Sequence, residues 1–353
     1  MLKILPYLKL AVEKNASDLY FTPNAPAMLR IEGEMVAVGK NLMTSEFIRE
    51  LAHSILTPEQ QEYLHKHWEI DLATQAGGLG RFRVNIFHQR GTIAMCLRYV
   101  KSQIPTLDEL GAPPVLKDLV MLKRGLILMV GATGSGKSTT LAGMIGHRND
   151  HAAGHIITIE DPIEYVHPNK RSIVNQREVG QDTVSYDRAL LSALREAPDV
   201  IQIGEVRRRE TMDACIQLAN TGHLTITTLH ANNAYQALQR VVNLYSEDLR
   251  DQLYLDLSLT LRAIISQRLV RGKDGRRVAA FEVLINTPFI QDLILNQHID
   301  QIREAMSQSS EKGMLTFDHS LYQLYKDGRI ELEEALSNAD SRANLEAKIN
   351  FGV

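Results

Sequence analysis

The sequence is poor in cysteine. Its 353 residues hold two, Cys96 and Cys215, far apart and outside any Cys-x-x-Cys spacing. That argues against a disulfide framework and a structural zinc site, and it fits a reducing compartment. Long apolar runs are missing too. No stretch approaches 18 uncharged apolar residues, so no segment is expected to span a membrane. The opening MLKILPYLKLAVEKNASD is interrupted by Pro6 and by charges and lacks a small-residue cleavage site. It reads as an amphipathic helix rather than a signal peptide. Nor is there an excess of one charge. Lys and Arg number 39 against 42 Asp and Glu, a formal −3. That is not the balance of a chain bound mainly to nucleic acid. Internal repeats and low-complexity tracts are absent as well.

What is present is a globular composition, 44% hydrophobic and 23% charged, with enough apolar material for a sizeable core. The length suits two domains. Residues 1–103 alternate helix and short strands. DLYFTP and AMLRIEGEMVAVG read as strands, the second turning at Glu32-Gly33, and TSEFIRELAHSIL reads as a helix capped by Thr44 or Ser45. GRFRVNIFHQRGTIAMCLRYV alternates like a hairpin turning near Gln89 to Gly91. The stretch KSQIPTLDELGAPP (101–114) is rich in proline, and its part 104–114 is expected as a flexible linker. From 115 to 353 the pattern changes. GLILMV, HIITIE, DVIQIG and LTITTLH read as buried parallel strands, with helices between them. That alternation predicts an α/β sheet with right-handed crossovers. The last 90 residues, after RRVAAFEVLI, read as mostly helical.

Four stretches carry chemistry. VGATGSGKSTT (130–140) fits G-x-x-x-x-G-K-[ST], after a predicted strand and opening a predicted helix. Glycines let backbone N–H groups approach phosphate oxygens, and the helix N-terminus adds partial positive charge. Gly131, Thr133, Gly134, Ser135, Gly136, Lys137, Ser138 and Thr139 are therefore the nucleotide-binding candidates. Lys137 is expected on the β- and γ-phosphates of ATP, and Ser138 on Mg²⁺. TIEDPIEYVH (158–167) packs Glu160, Asp161 and Glu164 behind a strand, where carboxylates can hold Mg²⁺ or orient water. APDVIQIGEVRRRE (197–210) is a strand ending in a carboxylate. Its usual Asp-Glu end is here Gly204-Glu205, so Glu205 alone is expected near Mg²⁺. TGHLTITTLHANN (221–233) carries His223 and His230 at the two ends of a strand, about 20 Å apart, too far to share one metal. A sensor or second-shell role suits them better.

In this order and spacing the four stretches resemble the secretion-superfamily ATPases. TIEDPIEYVH is similar to their Asp box and TGHLTITTLHANN to their His box. NASDLYF, GRFRVN, LVRGKDGRRVAAFEVLI and KGMLTFDHSL extend the likeness along nearly the whole chain, toward the type IV pilus twitching and retraction ATPases of the PilT/PilU group. The resemblance implies a small α+β PAS-like domain (1–103), then a linker, then a RecA-like P-loop ATPase domain of α/β class (115–353). It also implies hexameric rings with ATP and Mg²⁺ bound between the two domains, at the cytoplasmic face of an inner-membrane pilus machine. The catalytic Glu of the family falls on Glu164, its Walker-B Glu on Glu205, and its His-box histidines on His223 and His230, with Glu160 nearby. Arginines that approach the phosphates fall on Arg83 and Arg98.

The departures narrow the resemblance. Where the retraction ATPase typically has LRSALREDPD, GEMRD and AIRNL, this chain has LLSALREAPD, GEVRR and FIQDL. Leu191, Ala197, Arg208 and Gln291 are the substituted positions. They resemble the PilU branch, which works beside a PilT-type retraction ATPase, and the resemblance implies an inner-membrane pilus platform protein as a further partner. The expected function is therefore an ATP-hydrolysing hexamer that powers or assists pilus retraction. Two other classes share the loop. One is a nucleotide-sensing adaptor of a PilT ring, motivated by the substituted motifs. The other is a RecA-like nucleic-acid motor, against which the near-neutral charge counts.

Overall fold

The structure, a computed structural model, describes residues 3–31, 33–100 and 103–351. The turn residue Glu32 and the boundary residues Lys101 and Ser102 lie outside the described residues. The chain divides into two compact units, residues 1–103 with 164–166, and 104–163 with 167–353.

The first unit is a six-stranded antiparallel sheet with helices Leu5–Glu13, Ser45–His53 and Pro58–His67. Its strands are β1 (Asp18–Phe21), β2 (Ala27–Ile31), β3 (Glu34–Val38), β4 (Glu69–Ala76), β5 (Gly80–Gln89) and β6 (Thr92–Val100), in the order β3-β2-β1-β6-β5-β4. Alternation assigns the faces. Leu19, Phe21, Phe82, Val84, Ile86 and Leu97 bury one face against Leu8, Ile48 and Leu51 of the helices. The helix at Ser45 starts where its cap directs it, the Thr44 hydroxyl accepting from the Phe47 N–H at 3.1 Å.

The second unit is built on a seven-stranded sheet. Its strands are β7 (Gly125–Val130), β8 (Gly154–Glu160), β9 (Ser172–Glu178), β10 (Val200–Ile203), β11 (Leu224–Leu229), β12 (Leu261–Arg271) and β13 (Arg277–Ile285). The order is β13-β12-β7-β11-β10-β8-β9, parallel throughout except for the β12–β13 pair. Both faces are covered. Leu126, Leu128 and Val130 of β7 enter one core with the helices Arg209–Asn220, Ala234–Val242 and Glu247–Thr260. Ile127 and Met129 enter the other with Leu141, Met144 and Ile145 of the helix Lys137–His151. Each such fully buried aliphatic contributes about 1.5–3 kcal/mol. Double-sided burial is why these strands read as unbroken apolar runs.

One strand carried no sequence signal, and one sequence expectation needs correction. After RRVAAFEVLI the chain is helical as expected, but the strand β12 before it carried no signal, and β12 pairs with β13 along nine residues. Burial of both faces removed the period-2 signal from β12. Residues 104–114 are not a free tether. Leu107 is buried with Leu116, Met144 and Ile145. The Pro105 carbonyl lies close over Gly143, 3.1 Å from where a Cβ would stand. Thr106 and Glu109 close the turn, the Thr106 N–H donating to the Glu109 carboxylate at 2.7 Å. Among the described residues no helix is long and apolar enough to cross a membrane. Cys96 and Cys215 are both free, in different units.

Candidate functional site

The parallel strands β7, β11, β10 and β8 stand side by side, so the loops at their C-terminal ends share one edge of the sheet. Open α/β sheets bind ligands at that edge. Gly131 follows β7, His230 follows β11, Glu205 follows β10 and Glu160 ends β8. At about 4.8 Å per strand, β10 is about 10 Å from the strand that launches the P-loop and β8 about 14 Å.

The P-loop has the conformation its glycines predict. Gly134 and Gly136 have φ of +77° and +88°, and Gly136 leads directly into the helix Lys137–His151. Lys137 Nζ donates to the carbonyls of Gly131 at 2.7 Å and Ala132 at 2.9 Å, so the ammonium lies across the mouth of the loop. Ser135 is buried, and among the described residues its hydroxyl has no hydrogen-bond partner. A buried polar atom without a partner in a glycine-rich loop is the feature a phosphate oxygen would satisfy. Thr133, Gly134 and Ser138 are exposed, and Thr139 is half-buried.

The carboxylate after β10 is fixed from β11. Thr228 donates its hydroxyl to the Gly204 carbonyl at 2.5 Å, and its own carbonyl accepts from the Val206 N–H at 2.9 Å. Between these two bonds Glu205 faces His230, Oε1 to Nε2 at 3.1 Å, while Oε2 receives Arg207 at 2.8 Å. Thus Glu205 and His230 meet as a pair, with Glu205 the more buried partner. The departure at Gly204 also has a reason. A Cβ there would stand 2.5 Å from the hydroxyl of Tyr186. Burial, with Asp161 and Glu160 nearby, pushes that phenol well above its usual range.

Glu160 is occupied within its own edge of the sheet. It accepts from the Thr158 hydroxyl at 2.6 Å and from Gln176 at 3.1 Å. The Asp161–Pro162 peptide bond is cis. Glu178 is buried beneath this loop and accepts the Ile163 N–H at 2.9 Å, immediately before the exposed Glu164. His223 belongs elsewhere, and its second-shell expectation is corrected. It stands at the N-terminal end of β11, its Nδ1 3.0 Å from the Leu218 carbonyl, a strand's length from His230. A parallel strand delivers only its C-terminal end to the binding edge.

In the first unit, Arg83 of β5 and Arg98 of β6 are direct cross-strand partners. Their row continues through Asp18 of β1 to Arg30 of β2. Asp18 is buried at 4% exposure and receives Arg98 Nε at 2.7 Å, with Arg30 Nε at 3.9 Å. That bond holds the Arg98 guanidinium firmly in its charged form. Sequence reading found the two arginines but not the carboxylate that orients one of them. It also missed Gln267 and Glu282, which no motif spacing marks.

The same chain is matched by known proteins. The sequence profile of the family described as "Type II/IV secretion system protein" matches residues 3–345. A type IV pilus ATPase, PilU, of Pseudomonas aeruginosa is 49% identical over 98% of this chain and 91% of its own. A type IV pilus retraction ATPase, PilT, of the same species is 38% identical over 97% of this chain and 99% of its own. A crystal structure of the pilus retraction motor PilT with bound ADP superposes with a TM-score of 0.91 at 42% identity, covering 97% of this chain and 98% of that one. The chain belongs to the type II/IV secretion system protein family and, within it, to the PilT/PilU group of ATPases.

Proposed function

We propose that this protein is an ATP-driven motor that powers or assists retraction of type IV pili, in the manner of PilU beside a PilT-type partner. The observation that carries it is the P-loop and the Glu205–His230 pair on one edge of the sheet, in a chain alike to PilU and PilT over nearly its whole length. Lys137 leaves the Gly131 and Ala132 carbonyls for the phosphates of ATP, and the loop N–H groups and Ser135 hold them. Ser138 and Glu205 would hold Mg²⁺, which neutralises charge on the β- and γ-phosphates when bound. Glu164 orients or deprotonates the attacking water. His230, through its bond to Glu205, reports the state of the phosphates to β11. Arg83 and Arg98 are phosphate-facing arginines of a ring, Arg98 exchanging Asp18 for the anion. Such arginines are worth roughly 10³–10⁵ in rate in other phosphoryl-transfer enzymes. The working unit is a homo-hexamer on the cytoplasmic side of the inner membrane, contacting a PilT-type ring and the pilus platform protein.

The test is enzymatic and cellular. In purified protein, Lys137→Ala and Glu164→Gln are expected to lower ATP turnover at least about 100-fold. Full turnover by Glu164→Gln would remove it from catalysis. In cells, retraction with this gene alone, the PilT-type gene alone and both together separates motor from assistant. Unchanged retraction force with Lys137→Ala would leave only a nucleotide-sensing adaptor.

A further inference from the structure

Glu282 lies on β13, outside every motif, and is 5% exposed. One of its oxygens, Oε1, accepts two hydrogen bonds. The Ser266 hydroxyl of β12 donates at 2.9 Å and the Ala234 backbone N–H at 2.7 Å. Ala234 is the first residue of the helix Ala234–Val242, where backbone N–H groups have no partner inside the helix. Asn233 caps the same first turn, accepting from the Gln236 N–H at 2.9 Å. Ser266 pairs in register with Val130, the last residue before the P-loop. The neighbour of Ser266, Gln267, is packed into the loop itself. Its carbonyl and its amide nitrogen stand 2.6 and 2.8 Å from where Cβ atoms of Gly131 and Gly136 would be. Its amide oxygen accepts from the Thr140 hydroxyl at 2.8 Å.

A single carboxylate oxygen therefore joins the strand that backs the P-loop to the start of the helix after the His box. Only residues 230–233 separate that helix from the end of β11, and His230 lies among them. We infer that Glu282 is a positioning residue for hydrolysis, fixing the 230–233 connection so that His230 meets Glu205 in register with the P-loop.

The role is one of accepting hydrogen bonds, not of supplying charge. Burial raises the Glu282 carboxyl to about 7, so its neutral form is already populated near neutral pH. An amide oxygen at the same place can accept both bonds. Loss of the acceptor frees the 230–233 segment at its helical end, while Gln267 keeps its own contacts with the P-loop. Turnover should suffer and nucleotide affinity should not.

The inference rests on the proposed roles of Glu205 and His230, and steady-state ATPase kinetics of the purified full chain separate the two. Glu282→Leu is expected to lower kcat at least about tenfold with KM for ATP within about twofold. Glu282→Gln should stay within about threefold of the parent. Ala234→Pro removes the same bond from the donor side. Proline is tolerated at the first helical position, and Asn233 is already extended at φ −157° and ψ 175°. It should reproduce the kcat loss, and it decides the matter if Glu282→Leu does not fold. Parental kcat in both Ala234→Pro and folded Glu282→Leu would overturn the positioning role. So would a loss in Glu282→Gln as large as in Glu282→Leu, or a rise in KM matching the fall in kcat. Parental turnover in His230→Ala would instead sink the catalytic reading of the pair.

Discussion

His167 and Glu282 are both buried, and they titrate in opposite senses. Burial pushes the His167 imidazole down to about 4, helped by Lys170, and raises Glu282 to about 7. The unfolded chain takes up the His167 proton first, so this residue's stabilisation is lost as pH falls from 6.5 toward 4. The folded chain holds the Glu282 proton more tightly, so its stabilisation is lost as pH rises from 4.5 to 7. Each shift corresponds to about 3 kcal/mol. Between pH 4.5 and 6.5 the two slopes nearly cancel. Glu282→Gln should unmask the histidine. Relative to the parent, its unfolding free energy should rise by about 2–3 kcal/mol across that window, measured by urea denaturation at stepped pH. An unchanged slope would refute the opposition. At this scale the places of Lys137, Ser138, Glu205 and His230 at strand ends were legible in the sequence, because the motifs that hold them keep a fixed spacing from a strand. Asp18, Gln267 and Glu282 were not. Each has a partner far along the chain, 80, 127 and 48 residues away respectively.

Among the elements, the strand-to-helix turn at Gly136 is the most constrained. Its φ of +88° costs an L side chain about 1–2 kcal/mol, and a Cβ would meet the Gln267 amide at 2.8 Å. Gly136→Ala should lower the melting temperature by several degrees and weaken ADP binding at least about tenfold, read by thermal melts and fluorescent-nucleotide titration. Parental affinity would show that the loop reaches its binding shape without a left-handed residue there. β7 was readable to the residue from GLILMV, and β8, β10 and β11 to within a residue or two, since turn signals bound each apolar run. β12 was not, because burial on both faces erased its alternation. The proline-rich stretch 104–114 also misled. Prolines mark an irregular backbone, and irregular backbone packs as readily as it swings.

For the whole molecule, the expected assembly is a closed homo-hexamer. Mass photometry of Glu164→Gln, which should bind but not turn over ATP, is expected to show it with Mg-ATP. A monomer at every concentration up to the micromolar range would contradict the ring. The sequence by itself determined the class of this protein and its phosphate chemistry. P-loop spacing, buried strands and acidic strand ends are local patterns written in consecutive residues. The tertiary structure alone decided which ends meet. Strand order places β11 between β7 and β10, which brings His230 onto Glu205 and leaves His223 at the far edge. It also set Gln267 against the P-loop and Glu282 beneath the helix at Ala234. Those contacts arise from strand order and from packing between elements, and no periodicity along one stretch specifies its partner in another.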